Sequence, residues 1–313
     1  MIYNKIGKVY RNKGKSDLAL DYYFKSEKIC IEIGDKATLG STYNNIGTVY
    51  KNIGVWDRSL ENYLKSETVR FEIGDQAGLG MTYNNIGEIY RKKGEWDKAM
   101  TYFRKTEQIS VQVGDWARLG YTYNNIGKVY DRKGDWDEAL KYYLESEKIG
   151  IETGDIVLLG TTYNNIGKIY YNKKYWDNAL SFFVKSEQLE IQTGDIAGLG
   201  LTYNNIGKIY YEKGERHKSL KYLQKSEQIR IQVGDRSGLG ITYLNIGILY
   251  LEKQEKQKAD DYFILAGYIA KTVGMVYELS EWSEILTPLI QEMGEDCFME
   301  TGKKLCEEKG IAV

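Results

Sequence analysis

Residues 41–50 read STYNNIGTVY, and the phrase returns as MTYNNIGEIY at 81, YTYNNIGKVY at 121, TTYNNIGKIY at 161 and LTYNNIGKIY at 201. Looser copies flank the series, MIYNKIGKVY at 1 and ITYLNIGILY at 241, so a forty-residue unit occurs seven times without an insertion. A fixed period of this size belongs to stacked supersecondary units, none of which can bury its apolar face alone.

Working outward from the phrase, each unit divides into two helical patterns, residues 36–53 and 56–73 in the second. In the first pattern Leu39, Tyr43, Ile46, Gly47 and Tyr50 recur at spacings of three and four, and in the second Ser59, Leu60, Tyr63, Ser66 and Val69 do the same. That is the period of one helical face. Gly34-Asp35 and its repeats (Gly74-Asp75, Gly114-Asp115, Gly154-Asp155, Gly194-Asp195, Gly234-Asp235) fall between units. Glycine there supplies a left-handed stop, and aspartate accepts from the first orphan amides of the next helix. The turn inside each unit uses Gly14, Gly54, Gly94, Gly134 and Gly214, with Lys174 and Gln254 as departures. Gly47 on the first helix and Ala19, Ser59, Ala99, Ala139 or Ala179 on second helices remove side-chain volume so that helices approach closely.

Composition agrees with a packed chain. Of 313 residues 42% are hydrophobic, with 33 glycines, 28 tyrosines and one proline, too regular for disorder. Lys plus Arg number 43 against 44 Asp plus Glu, for a net charge of -1. No global field draws this chain to nucleic acid or to an anionic membrane. No apolar run approaches the length of a membrane span, and the charged start is unlike a signal peptide. Cys30, Cys297 and Cys306 make no disulfide framework, and none has metal-ligand spacing with the lone histidine, His217. A reducing cytoplasm fits this usage, and no cofactor, metal or catalytic residue is expected.

The typed positions resemble the tetratricopeptide repeat. In the third unit they are Tyr83, Ile86, Gly87, Tyr90, Ala99, Phe103 and Thr106; in the fourth, Tyr123, Ile126, Gly127, Tyr130, Ala139, Tyr143 and Ser146. The resemblance covers about residues 1–275, although the family's usual period is shorter and its closing proline is here replaced by a longer helix ending in Gly-Asp. It implies an all-α, right-handed solenoid of helix-turn-helix repeats with a C-terminal capping helix pair. The repeats would be 1–35, 36–75, 76–115, 116–155, 156–195, 196–235 and 236–275, followed by a degenerate repeat or cap at 276–313. Pro288 is expected to bend or break the first helix of that cap.

The resemblance also implies that first helices line a groove for a partner peptide or helix. Numbered within the forty-residue unit, groove positions are 1, 4, 8, 11 and 12, with 5 at the margin. Position 4 is Asn4, Asn44, Asn84, Asn124, Asn164 and Asn204; position 5 is Asn45, Asn85, Asn125, Asn165, Asn205 and Asn245. Asparagine is a poor helix-interior residue, so this double ladder needs a role. Either the amides grip the backbone of an extended peptide, or one of each pair bridges adjacent repeats or bonds a carbonyl one turn back. Lys128, Lys168 and Lys208 add charge at position 8. The groove is basic over units one to five, while the seventh carries Ile241, Leu244, Ile248 and Leu251, a gradient suited to an acidic partner with an apolar end. The carboxylate-clamp chemistry of chaperone-binding relatives is disfavoured, because asparagine stands where their groove begins with lysine.

Other recurrent residues read as structural. Trp56, Trp96, Trp136 and Trp176, each preceding an aspartate, pack at turns; Glu27, Glu67, Glu107, Glu147, Glu187 and Glu227 serve as inter-repeat hydrogen-bond partners; His217 lies at the surface; and Cys30 could be exposed. The expected function is a non-enzymatic protein-protein interaction scaffold. The alternatives are the sensor or recruitment arm of a larger signalling or effector protein, and a structural repeat that self-associates through its first unit. In that unit Met1 aligns with Ser41, no capping aspartate precedes, and Ile2 and Ile6 would be open.

Overall fold

The structure is a computed structural model that describes residues 2–311. Met1 lies outside the described residues. Among those residues there is no strand, and the chain divides into two units, one ending at Leu158 and one starting at Leu159.

The first unit holds α1 (Ile2–Asn12), α2 (Ser16–Ile33), α3 (Lys36–Asn52), α4 (Trp56–Glu72), α5 (Gln76–Lys92), α6 (Trp96–Val113), α7 (Trp116–Lys133) and α8 (Trp136–Thr153). The second holds most of α9 (Ile156–Asn172), then α10 (Trp176–Thr193), α11 (Ile196–Glu212), α12 (Arg216–Val233), α13 (Arg236–Glu252), α14 (Lys256–Val273), α15 (Val276–Glu281), α16 (Ser283–Met293) and α17 (Glu295–Glu308). Helices of 17 or 18 residues are about 26 Å long at 1.5 Å per residue.

The Gly-Asp pairs act as the sequence requires. Gly34 takes φ 71°, and the Asp35 carboxylate accepts from Thr38 N at 3.0 Å, opening α3. Asp75, Asp115, Asp155, Asp195 and Asp235 accept in the same way from the amide three residues on. Each cap satisfies a donor that the helix itself leaves unpaired. Lys174 and Gln254, the departures from glycine, keep the left-handed backbone at φ 63° and 60°. A Cβ there crowds the adjacent carbonyl, so the turn geometry is imposed by the helices it joins.

Inside six of the seven repeat pairs an aromatic ring at position 23 lies on the glycine at position 7; in the sixth repeat Leu223 lies on Gly207. A Cβ built on Gly127 would sit 2.5 Å from Tyr143 Cε1, and one on Gly87 2.6 Å from Phe103 Cε1. Only glycine leaves that space. Beside this contact Tyr130 stacks on Tyr142 with centroids 5.5 Å apart, and Tyr123 meets the same ring at a tilt. In unit one, first helices also touch first helices, α1 against α3, α3 against α5 and α5 against α7. Consecutive second helices make no such contact among the described residues. First helices therefore form the closer-spaced layer of the stack.

The C-terminal cap differs in detail from the expected helix pair. Its first helix is interrupted at Trp282, giving α15 and α16, and Pro288 sits inside α16 rather than at the break. Trp282 is buried and closes the turn, while the break leaves Pro288 in a short helix that tolerates the loss of one donor. Phe298 of α17 lies against Gly267 of α14, and Tyr268 against Gly302, so the cap seals the last repeat with the ring-on-glycine contact used between helices elsewhere.

Candidate peptide-binding face

The double asparagine ladder is resolved by its neighbours. Asn45 Nδ2 donates to Asn4 Oδ1 at 2.9 Å, Asn85 to Asn44 at 3.0 Å, Asn125 to Asn84 at 3.2 Å, Asn205 to Asn164 at 3.3 Å and Asn245 to Asn204 at 3.0 Å. The threonine at position 2 joins the same cluster. Asn4 Nδ2 donates to Thr42 Oγ1 at 2.7 Å and Asn164 Nδ2 to Thr202 Oγ1 at 2.6 Å. Thus the T and the second N of one TYNN phrase hold the first N of the phrase before it. Two residues 41 apart meet because consecutive first helices lie side by side.

This corrects the expectation that position 4 faces a ligand. Asn44, Asn124, Asn164 and Asn204 are all buried, and bridging accounts for an amide that could not be left unpaired there. Position 5 is the more open of the two: Asn45, Asn85, Asn165 and Asn205 are half-buried, while Asn125 is buried. Asn84 is half-buried as well and reaches an open depression together with Asn85.

Charge on this face is partly neutralised within it. Lys51 Nζ lies 2.8 Å from Glu88 Oε2. Burial alone would lower the Lys51 pKa, but the Glu88 carboxylate outweighs it and the value rises. Lys128 has the opposite balance: burial, reinforced by Arg91 and only partly offset by Glu88, pulls its pKa down to about 8. Lys208 is lowered too, by burial first and then by Lys168, with Glu212 opposing. Lys168 itself is exposed.

Two open depressions recur at equivalent places of unit one. One is lined by Asn4, Lys5, Ala37, Thr38 and Ser41, the other by Asn84, Asn85, Ala117, Arg118 and Tyr121, with Met81 and Asp115 at its edge. Each runs from positions 4 and 5 of one first helix to the first two turns of the next. Position 1 adds exposed apolar side chains, Met81, Tyr121 and Leu201.

Residues read as structural fall into place individually. Burial, reinforced by Glu27, pushes the Tyr43 hydroxyl up to about 12, and burial with Glu107 and Glu187 does so for Tyr123 and Tyr203, each carboxylate reaching across a repeat boundary. The aspartates after tryptophan pair with lysines of the next repeat, Asp57 with Lys93 and Asp97 with Lys133 at 2.7 Å, Asp177 with Lys213 at 2.5 Å. Trp56 and Trp136 are more exposed than Trp96 and Trp176. His217 is at the surface. Cys30, expected open to solvent, is buried against Ser26. Among the described residues no three His, Cys, Asp or Glu side chains form a metal-binding group, and no helix is long and apolar enough to cross a membrane.

Position 23 is aromatic in six repeats (Tyr23, Tyr63, Phe103, Tyr143, Phe183, Phe263) and leucine at 223, a departure legible when the repeats are set in register.

These features define an α-helical repeat protein in which a four-residue phrase couples neighbouring helix pairs. Tetratricopeptide repeat profiles match residues 78–151 and 198–266, and residues 2–30, together more than half of the chain. The chain belongs to the tetratricopeptide repeat family. No curated protein matches it. Among solved structures, RapI in its apo form is 13% identical, with a TM-score of 0.71, over 88% of this chain and 98% of that one. Aspartyl phosphate phosphatase F from Bacillus subtilis is 16% identical, with a TM-score of 0.70, over 85% and 69%. A signal transduction ATPase with a tetratricopeptide repeat sensor from Pyrococcus horikoshii is 16% identical, with a TM-score of 0.68, over 94% of this chain and 43% of that one. At these identities the likeness is one of fold. As a tetratricopeptide repeat protein, the chain is a repeat scaffold of the protein-interaction class.

Proposed function

We propose that this chain is a non-enzymatic scaffold that binds an extended or helical segment of a partner protein along its first-helix face. The observation that carries this reading is the pair of depressions in unit one, set at equivalent places two repeats (eighty residues) apart and lined by amides, small side chains and position-1 residues. A ligand with a regular backbone meets equivalent environments at equal steps along such a surface. Asn85 and its position-5 equivalents spend one N–H on the ladder, and an amide carries a second N–H and a carbonyl with two lone pairs. Position 5, with Asn84 beside it, is therefore the set that would meet peptide backbone.

Lys8, Lys128 and Lys168 favour acidic residues in the ligand, and α13 offers Ile241, Leu244 and Ile248 to an apolar one. Charge of this kind acts chiefly on the rate of encounter. A cytoplasmic setting agrees with three cysteines that form no disulfide.

The test is selection of peptides from a displayed random library on the wild-type protein, followed by binding to Ala37→Trp and Ala117→Trp. Both alanines are exposed and line the depressions, so the indole blocks the face without entering the core. The selected peptides should lose affinity for these variants, and acidic sequences should be enriched. Undiminished binding to both variants overturns the first-helix reading.

A further inference from the structure

The substitution at position 23 leaves a cavity. In the other repeats the ring at this position covers the position-7 glycine, and in the second repeat it reaches outward to position 8, the Tyr63 hydroxyl lying 3.1 Å from Thr48 Oγ1. Leu223 covers Gly207 but ends there, its Cγ being the atom nearest a Cβ built on that glycine, at 2.8 Å. Beyond it lies a cavity of about 180 Å³. Its floor is Leu223 and Ser219 of α12, its walls Lys208, Tyr211 and Glu212 of α11 with Asn245 and Ile248 of α13, and Tyr171 stands at its edge. Positions 5, 8, 11 and 12 belong to the first-helix face, so the cavity communicates with that face.

One buried group in this wall lacks a hydrogen-bond partner. Ser219 is fully buried, and its Oγ bonds to nothing, whereas the equivalent Ser59 Oγ donates to Gly47 O at 2.8 Å. A buried hydroxyl left unpaired is costly and is a place where a ligand's polar atom gains. Lys208 Nζ lies 4.5 Å from the Tyr171 ring centroid, and the Tyr171 hydroxyl is held by Glu212 at 3.2 Å. The wall thus offers aromatic and aliphatic surface with one hydroxyl at depth and one ammonium at the side. A dry cavity of about 150 Å³ accepts a benzene ring. The space here fits one six-membered ring with a small substituent.

We propose that this cavity is an anchor pocket for one aromatic side chain of a bound peptide, with a phenolic ring preferred because its hydroxyl can pair with Ser219. The proposal rests on the reading of the first-helix face as a peptide-binding surface, and it adds the residue class that fixes the peptide's register. An inserted ring would occupy the space that the host's own ring occupies in the other repeats. The anchor exists in repeat six because the chain lacks that ring there.

The probe is p-cresol, the side chain of tyrosine, titrated into the full chain and followed by NMR at the methyl groups of Leu223 and Ile248. A fragment of this size should bind at about millimolar affinity. Saturable shifts at these methyls are expected, weaker with toluene, which lacks the hydroxyl. Leu223→Phe restores the ring that Phe183 and Phe263 place in the flanking repeats. It should abolish the shifts and raise the melting temperature. Should that variant misfold, Ile248→Phe on the half-buried opposite wall closes the same space. Absence of saturable shifts in the wild type, or equal p-cresol binding by wild type and a folded blocked variant, overturns the anchor. The small probe reads the pocket independently of any peptide. Failure of the first-helix reading would instead appear as peptide binding indifferent to Ala37→Trp and Ala117→Trp.

Discussion

Replacing Asn164 by alanine should destabilise the protein by about 2 kcal/mol, since two neutral hydrogen bonds are worth about 1 kcal/mol each net. Asn164 is 7% exposed; its Nδ2 donates to Thr202 Oγ1 at 2.6 Å, and its Oδ1 accepts from Asn205 Nδ2 at 3.3 Å. Both partners belong to the next repeat, so the loss falls on the coupling between repeats, the term that makes a stack cooperative. Thr202 keeps a second partner, because it also donates to Glu190 Oε1 at 2.9 Å, whereas the Asn205 amide is left with the half-exposed side of the face. Urea denaturation of Asn164→Ala, Asn205→Ala and the double variant gives the coupling directly. Asn205→Ala alone should cost less, and the cycle should return about 0.5–1.5 kcal/mol, the worth of one bond. The m-value should also fall in Asn164→Ala if the stack begins to unfold in parts. A cost below about 0.5 kcal/mol with no coupling would refute the bridging account, and loss of peptide capture at unchanged stability would return position 4 to the ligand.

Three further outcomes follow from particular environments. Glu190 is buried, its pKa is raised by burial despite hydrogen bonds from Ser186 and Thr202, and Asp195 and Glu187 add like charge. A raised folded-state value means that its contribution to stability is full below the ordinary carboxylate range and is lost as pH rises through the folded value. Glu190→Gln should flatten that part of the stability profile and melt no lower than wild type at pH 7, and an unchanged profile would show that Glu190 does not carry it. Lys174→Gly should stabilise by about 0.5–1 kcal/mol in denaturant titrations, because a left-handed residue with a Cβ is replaced by one without. Gly127→Ala, whose new methyl meets the Tyr143 ring at 2.5 Å, should cost about 1–3 kcal/mol by overpacking; an alanine tolerated there would mean that the ring can move aside.

The sequence by itself determined the fold. A phrase returning every forty residues, two amphipathic patterns per unit and Gly-Asp between units specify helices whose ends and faces are local properties, so α3 and α4 stop within a residue or so of the boundaries read from residues 36–73. Spacing along a helix is fixed by 3.6 residues per turn, and capping by residues three apart, and neither needs a tertiary contact.

Only the tertiary structure decided what the asparagines do. Whether Asn164 meets a ligand or Asn205 depends on how close two first helices come, and that distance is set by the ring-on-glycine packing of the pairs behind them. The same is true of position 30, where Arg70 and Arg230 are buried against Asp75 and Asp235 while Glu190 occupies the equivalent place without a cation. Leu223 lies between the two cases. Its departure from the repeat was legible, but the cavity it opens is a volume enclosed by three helices, and a volume has no counterpart in a linear pattern.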